Sequence, residues 1–517
     1  MPFSLETSPI PDIQSAFQNQ IDFKDGDIEI SFKPFLHGII RNFCGINNCN
    51  GLVNFCNKNI PYSRIKNDLY NFEQSGDIAS QLEPDHSYFK DLLLTKFPEF
   101  IGSAFHVNLN KKIVLTSSRY SQGDYLLCHN DLVGKNKEYR KFAFVYYLQC
   151  VDSGGELVLF QSKEGNSDPV KICQSIKPEA DCLVFFEVSA ISYHQFHQCK
   201  AAYRSTPQTC FSAMTKRDNF AIRFLGFKPY ENDYQNQNDR RLSIHGWFHW
   251  DTPCDVSHFS SDIHNAITAP DESCTPYTFI NLINPLYLDP DVQLKVANLI
   301  CSQGNVMLSS FLTDEFYNEI CQSLHLLEWE LSTPYNKRCY WKAKTESMEK
   351  CEVIRRLIDF FKCNSMMITL SNLCDLNFDK DPARNENESE SYTVDKDSSV
   401  TLSYELRRID PGSYSLLWST NEENTCSEDS NLDKTKKYLW TSIFFDISGW
   451  NEECGGRTVF ARNNCEDEEL HVDPGNNCLN LVNTDSNVKP FLLYCKISTQ
   501  QNTDKPYFYQ LVVTYRE

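Results

Sequence analysis

Four landmarks occur twice in this chain in the same order, and this repetition limits the possible folds more than any other feature. The first half runs SRYSQGDYLLCHND, FAFVYYL, SGGELVLF and KPEADCLVFF. The second half runs LRRIDPGSYSLLWSTNE, TSIFFDI, CGGRTVF and DPGNNCLNLV. Each set has a Gly-x-Tyr before a Leu-Leu step, an apolar strand, a Gly-Gly turn and a Pro-x-x-x-Cys-Leu. An ordered repeat of this kind predicts two copies of one structural unit.

The segments between the landmarks indicate what that unit is. KKIVLTSSRY, DYLLCHND, KFAFVYYLQC, GELVLFQS, DCLVFFEVS and RRLSIHGWFHW are short and rich in β-branched and aromatic residues. Turn-forming residues separate them. They predict successive strands of a sandwich or jelly-roll barrel. Helical spacing precedes them in 67–79 and, more clearly, in 87–105, where Phe89, Leu92, Leu93 and Phe97 share a face. In the second half DPDVQLKVANLICSQG predicts a helix with Asp289 as N-cap, Pro290 at its first position and an end near Gly304. LTDEFYNEICQSLHLLEWEL and MEKCEVIRRLIDFFKC are also amphipathic. The expected class is therefore α+β, mainly β, with helices packed on each of two tandem barrels. Residues 1–28 read as a loose lead-in, 29–254 as the first domain, 255–276 as a polar linker and 277–517 as the second domain. Residues 375–398 and 421–437 are polar, mostly acidic insertions.

The formal net charge is -20. Such a surface repels phosphate backbones and suits a basic protein partner, so direct nucleic-acid binding is not expected. The first residues, MPFSLETSPIPDIQ, have neither the basic nor the apolar region of a signal peptide. No stretch approaches eighteen uninterrupted apolar residues, so no membrane span is expected. The 22 cysteines then read as reduced thiols, mostly small core residues.

His-x-Asp occurs three times, at His129/Asp131, His249/Asp251 and His471/Asp473. The repeat acts as an internal control on these pairs. Aligned by the landmarks, His129 falls near Trp418 or Ser419, Asp131 near Asn421, and His194 on Pro490. The scaffold persists in the second copy and the candidate ligands do not, as expected if they perform chemistry in the first copy alone. Residues two apart on a strand point to the same side, so His129 and Asp131 aim together. His194, or its rival His197, supplies a third ligand from a later strand. The set then matches a 2-His-1-carboxylate facial triad for Fe(II). No histidine follows His471, and His249/Asp251 leads into the linker. A cosubstrate carboxylate calls for a bidentate arginine. Arg241, with Ser243 on the same strand face, is the candidate; Arg240 and Arg223 are alternatives. Tyr120 and Tyr147 offer phenolic donors, although core packing explains each equally well.

NDLYNFEQSGD, GDYLLCHND, FFEVSAISYHQ and RLSIHGWFH together resemble the sudestada-type prolyl 3-hydroxylases, which depend on 2-oxoglutarate and Fe(II) and act on a small-subunit ribosomal protein. The resemblance covers nearly the whole chain. It implies two double-stranded β-helix (jelly-roll) domains, the second non-catalytic. It implies His129, Asp131 and His194 as iron ligands, Arg241 on the distal carboxylate of 2-oxoglutarate, and Tyr120, Tyr147 and Ser243 nearby. O2 is the co-oxidant and ascorbate the expected reductant. Prolyl hydroxylation at the decoding centre, possible contact with translation-termination factors, and a cytoplasmic and nuclear location follow from the same resemblance. A non-catalytic regulator of termination complexes, or an oxygenase of lysyl residues or nucleobases, is the alternative. The family has an acid where Asn130 stands, and a shorter connection than residues 198–238.

Overall fold

The computed structural model describes residues 2–5, 8–82, 84–132, 139–199, 240–252, 276–374, 400–417, 437–462, 470–485, 488–496 and 507–516. Nearly all of 198–238, the linker and both acidic insertions lie outside these residues. So does Arg223. Two compact units result: one from Met1–Ile65, Tyr70–Leu159 and Cys173–Cys254, the other from Lys66–Leu69, Phe160–Ile172 and Asp255–Glu517. Both are rich in β-sheet, in keeping with an α+β chain.

The strands of the first half are β1 (Phe23–Asp25), β2 (Ile28–Ser31), β3 (His37–Ile40), β4 (Ser63–Lys66), β5 (Tyr70–Gln74), β6 (Ile113–Tyr120) and β7 (Tyr125–His129). They continue with β8 (Tyr139–Gln149), β9 (Leu157–Ser162), β10 (Pro169–Ile176), β11 (Cys182–Glu187), β12 (His194–Phe196) and β13 (Arg241–Trp250). Their order in the sheet is β1-β2-β3-β11-β8-β13-β6-β5-β7-β12-β9-β10, with β4 beside β5. Period-two alternation sorts the side chains. On β8 and β13, Phe142, Phe144, Tyr146, Leu242, Ile244 and Phe248 face one way, into a core shared with the helices. Ala143, Val145 and Tyr147 face the other way, into a second cluster with Tyr120, Leu157, Leu159, Val184, Phe186 and Phe196. That second cluster draws on both limbs of the sheet path, so β8 and β11 confront β9 and β12 across it. Gly246 lets β13 approach β6: a Cβ there would stand 1.9 Å from the Val114 carbonyl oxygen.

Two local expectations need correction. Residues 67–79 contain no α-helix. Tyr70–Gln74 is a strand, with Phe72 buried, and it bridges β6 and β7. Tyr70 and Phe72 alternate with polar neighbours, and the period of two prevails because two strands offer it hydrogen bonds. The described residues of the 1–28 lead-in are also not loose. Ile10–Asn19 is a helix whose Ile13 is fully buried, and β1 and β2 enter the sheet. The amphipathic stretch 87–105 is helical throughout, with a π-turn over Leu92–Lys96. Pro98 has no N–H to donate to the preceding turn, and the wide turn just before it absorbs the mismatch. Phe89, Leu92, Leu93 and Phe97 are all buried.

In the second half, Pro290–Gln303 is a helix. The Asp289 carboxylate accepts from the amides of Asp291 and Val292, and Gly304 closes the helix in the left-handed region. Strands 305–309, 478–485, 437–445, 508–516, 401–409, 338–343 and 329–332 form the main sheet in that order. Helices cover one face. A three-stranded sheet of 470–472, 458–462 and 488–492 packs near the other.

The pairing registers carry the sequence repeat into three dimensions. His194 pairs with Leu159, four residues past Gly155, and Pro490 pairs with Phe460, four residues past Gly456. In each half the first residue of the last strand pairs with the final residue of a long neighbouring strand: Arg241 with Tyr120, and Phe508 with Ile409. Ser243 faces Tyr147 where Gln510 faces Phe444.

Candidate metal centre and carboxylate pocket

His129 ends β7 and His194 begins β12, and the two are register partners. Their ring centroids are 4.3 Å apart. Asp131 follows β7 and reaches both: its Oδ1 lies 3.8 Å from His129 Nε2 and its Oδ2 lies 3.7 Å from His194 Nε2. Among the described residues these three form the group whose donor atoms all lie within 4.8 Å of one another. Each histidine Nδ1 faces a backbone carbonyl two residues earlier, Leu127 at 2.8 Å and Ser192 at 3.0 Å. Donation from Nδ1–H to that carbonyl leaves the Nε2 lone pairs directed at the common point, the tautomer a metal requires. Burial pushes the His129 imidazole down to about 4, and the adjacent His194 adds to the effect, so His129 is neutral at ordinary pH. Burial alone raises the Asp131 carboxyl, but His194, His129 and Arg140 outweigh it and the net direction is down. The cluster thus presents two imidazole nitrogens and one carboxylate, the donor set of a facial triad.

The other pairs do not form such a group. His249 Nδ1 faces the Lys112 carbonyl, and Asp251 accepts from Asn110. His471 is 4.0 Å from Asp473, which Arg457 takes at 2.9 Å. His197 is 3.6 Å from Glu156, outside the cluster.

Arg241 is fully buried. Its Nη1 donates to the Gly155 carbonyl at 2.9 Å, and its guanidinium lies 3.9 Å from the Tyr120 ring and 4.2 Å from the Phe196 ring. Phe196 is two residues from His194 on β12, and Phe186, in the same cluster, touches the His194 ring at 4.5 Å. Arg241 therefore packs on the aromatic cluster that also borders His194. Tyr147 lies at 5.8 Å from the guanidinium. Burial raises both phenols, Tyr120 and Tyr147, against the opposing pull of Arg241, so both stay protonated donors. Arg241 Nε and the Tyr147 hydroxyl are buried without hydrogen-bond partners. Unmet buried donors are costly, and a carboxylate seated between them would satisfy both.

Family profiles match within both halves of this chain. The 2OG-Fe(II) oxygenase superfamily matches residues 115–212, and the "Oxoglutarate and iron-dependent oxygenase degradation C-term" family matches residues 277–515. Prolyl 3-hydroxylase OGFOD1 of Xenopus laevis is 25% identical over 98% of this chain and 92% of its own length. The mouse protein of that name is 25% identical over 93% and 88%. Prolyl 3-hydroxylase sudestada1 of Drosophila melanogaster is 26% identical over 71% and 61%.

The chain belongs to the 2OG-Fe(II) prolyl-hydroxylase family of these relatives.

As a member of this family it is a 2-oxoglutarate- and Fe(II)-dependent oxygenase. Its own residues fit both groups: a set of three metal donors, and a buried, partly unpaired guanidinium packed on the same aromatic cluster. Sequence reading passed over several neighbours. Trp247 and His245 lie on the β13 face that carries Arg241 and Ser243, and continuing the alternation by two and four residues past Ser243 reaches both. His245 Nδ1 is 3.0 Å from Ser118 Oγ, and its Nε2 is 2.9 Å from Thr116 Oγ1 and 3.2 Å from the Gln74 amide nitrogen. Arg140 stacks on Trp247 at 3.6 Å with its Nη1 3.7 Å from Asp131 Oδ1. Nothing in the local sequence marks Arg140. Gly155 was legible only as a turn.

Proposed function

We propose that this oxygenase is a prolyl 3-hydroxylase of a basic small-subunit ribosomal protein, and that His129, Asp131 and His194 hold its iron. The reading rests chiefly on one observation: three metal-donor atoms and a fully buried arginine border one aromatic cluster in the first half, whereas the second half has Pro490 and Phe508 at the corresponding registers. The catalytic portion (29–254) closes as a double-stranded β-helix, and 277–517 is its non-catalytic copy, joined by 255–276.

Fe(II) with 2-oxoglutarate and O2 supplies oxidative decarboxylation to succinate and CO2, coupled to insertion of one oxygen atom into a C–H bond. The chain's own residues prepare this chemistry. Leu127 and Ser192 carbonyls fix the imidazole tautomers, and Arg140, 3.7 Å from Asp131, adds to the pull of the two histidines that favours its charged form. Arg241 takes the distal carboxylate through its fork, oriented by the Gly155 carbonyl and the Tyr120 face. Tyr147 and Ser243 lie across from one another in register beside it and complete the donors. Aromatic and aliphatic walls exclude water. A net charge of -20 favours encounter with a basic substrate. The relatives named prolyl 3-hydroxylase support proline as the target. Ascorbate as reductant, a role near translation termination and a cytoplasmic and nuclear location belong to the same reading. Among the described residues, no helix is long and apolar enough to cross a membrane.

The test is incubation of the purified chain with Fe(II), 2-oxoglutarate and small ribosomal subunits, followed by peptide mass spectrometry. A gain of about 16 Da on one proline, the mass of one added oxygen, is expected. Turnover of 2-oxoglutarate with the added oxygen only on lysyl residues or bases would replace the substrate assignment and keep the iron site.

A further inference from the structure

The second half has Pro490 and Phe508 at the registers of His194 and Arg241, yet it holds a cavity at the corresponding place. A space of about 380 Å³ opens on the non-helical face of its main sheet. Pro490, the register counterpart of His194, forms part of its wall, with Trp440, Val488 and Val512. In the first half, His245 and Trp247 lie on the last strand beside the triad. Here Val512 and Thr514, at the matching positions of the last strand, line the space. The iron-binding chemistry has been erased and the room kept.

The cavity is not simply apolar. Glu405, 3% exposed, stands in it beside Arg407. Arg407 Nε donates to Glu405 Oε2, and the Tyr340 hydroxyl donates to the same oxygen at 3.0 Å. With Nε committed, the Nη edge of Arg407 is the part left for another acceptor. At the mouth Arg516 lies against Tyr438 at 5.8 Å. Deeper on the same sheet face, Ser442 and Gln510 are each at least nine-tenths buried, and Ser442 Oγ and Gln510 Oε1 have no hydrogen-bond partner. Gln510 is the register partner of Arg407, and Ser442 that of Val512. An interior that served packing alone would have closed over these groups with apolar side chains. Ser442 and Gln510 lie behind the lining residues Arg407 and Val512 and make the floor of the cavity polar.

The open donor edge selects the ligand. Glu405 and Asp485 offset the two guanidinium charges in number, so a dianionic phosphate is disfavoured and recognition falls to the hydrogen-bonding edge of Arg407. A singly charged planar acceptor matches the Nη edge in fork geometry. The aromatic and aliphatic wall suits a carbon stem. We propose that the second half is a binding site for a carboxylate carried on an apolar stem, either a free small acid or an acidic side chain of a peptide. The copy has exchanged oxygen chemistry for recognition.

The test uses the full chain and 3-methylbutanoate, which has a carboxylate and branched methyls but cannot chelate a metal in bidentate fashion through a second oxo group. Saturation-transfer NMR is expected to detect methyl contacts. Arg516→Ala, a change at an exposed side chain, and Arg407→Lys are each expected to weaken binding by about tenfold, the loss of one charge-assisted contact. Arg241→Lys, in the other half, is expected to leave it unchanged. Because Arg407→Lys disturbs a buried pair, Arg516→Ala keeps the test decisive if the former fails to fold. Unchanged binding in Arg516→Ala and Arg407→Lys overturns the proposal, as does loss confined to Arg241→Lys. Stronger displacement by N-acetylglutamate N-methylamide than by the free acid assigns a peptide source, and the reverse assigns a metabolite. Inorganic phosphate displacing better than either overturns the carboxylate assignment.

Discussion

His194 stands directly opposite His129 in the β7–β12 pairing, with the two imidazole rings 4.3 Å apart. Each ring is committed at Nδ1 to a backbone carbonyl two residues earlier, so both Nε2 atoms turn to Asp131. Replacing any one of the three leaves a bidentate site. His129→Ala, Asp131→Ala and His194→Ala should each lower Fe(II)-dependent succinate formation by more than about 100-fold, beyond the effect typical of losing an outer-shell partner. Circular dichroism should show the fold retained. Succinate formation near the wild-type rate in any of them would remove that residue from the metal site.

Arg140 tests the layer outside the triad. It touches Asp131 and rests on Trp247. Arg140→Gln should weaken Fe(II) binding by about 10–100-fold without abolishing it, read by metal titration of the apoprotein.

Arg241 should act on cosubstrate binding. Its fork is buried and partly unpaired. Arg241→Lys keeps the charge and loses the geometry, so the KM for 2-oxoglutarate should rise by about 10–100-fold, equivalent to roughly 1.5–3 kcal/mol for a charged hydrogen bond. Fe(II) affinity should not change. Gly155→Ala should give a milder version of the same defect. Gly155 has φ +73°, and an added Cβ would stand 3.2 Å from both Arg241 Cδ and Cys199 Sγ. A stability loss of about 1 kcal/mol or more is expected, measured by urea unfolding alongside the KM.

Much of this site was legible because two copies could be compared. The landmarks fixed the strands, and the loss of ligands in the second copy singled out His129, Asp131 and His194. Asp289 and Gly304 announced one helix through their capping chemistry. Other features depended on partners remote in sequence. Tyr70–Gln74 became a strand because β6 and β7 flank it, which no local pattern reveals. Arg140 reaches Asp131 from the start of β8 across residues 133–138, and its role depends on Trp247 more than a hundred positions away. The half-buried network of His245 with Gln74, Thr116 and Ser118 joins three strands. The π-turn at Leu92–Lys96 was foreshadowed only by Pro98.

His245 provides a pH signature. Burial lowers its imidazole to about 4, with Asp131 opposing and Arg241 and Arg140 assisting. In the unfolded chain it titrates near the ordinary value of about 6.5. Between those values the unfolded state binds more protons, so folding stability falls as pH drops from about 6.5 towards 4. Urea unfolding at pH 7 and pH 5 should show this loss, and His245→Gln should reduce it. An identical slope in wild type and variant would show that His245 is not held neutral.

The most direct test of the central claim is iron-edge anomalous scattering from crystals grown with Fe(II) and 2-oxoglutarate under exclusion of oxygen. One anomalous peak is predicted among His129 Nε2, Asp131 Oδ and His194 Nε2, at roughly 2.0–2.2 Å from each, the range of nitrogen and carboxylate bonds to a first-row divalent metal, with the distal carboxylate of 2-oxoglutarate on Arg241. A peak elsewhere, or a protein that turns over 2-oxoglutarate with no iron at these residues, would contradict it.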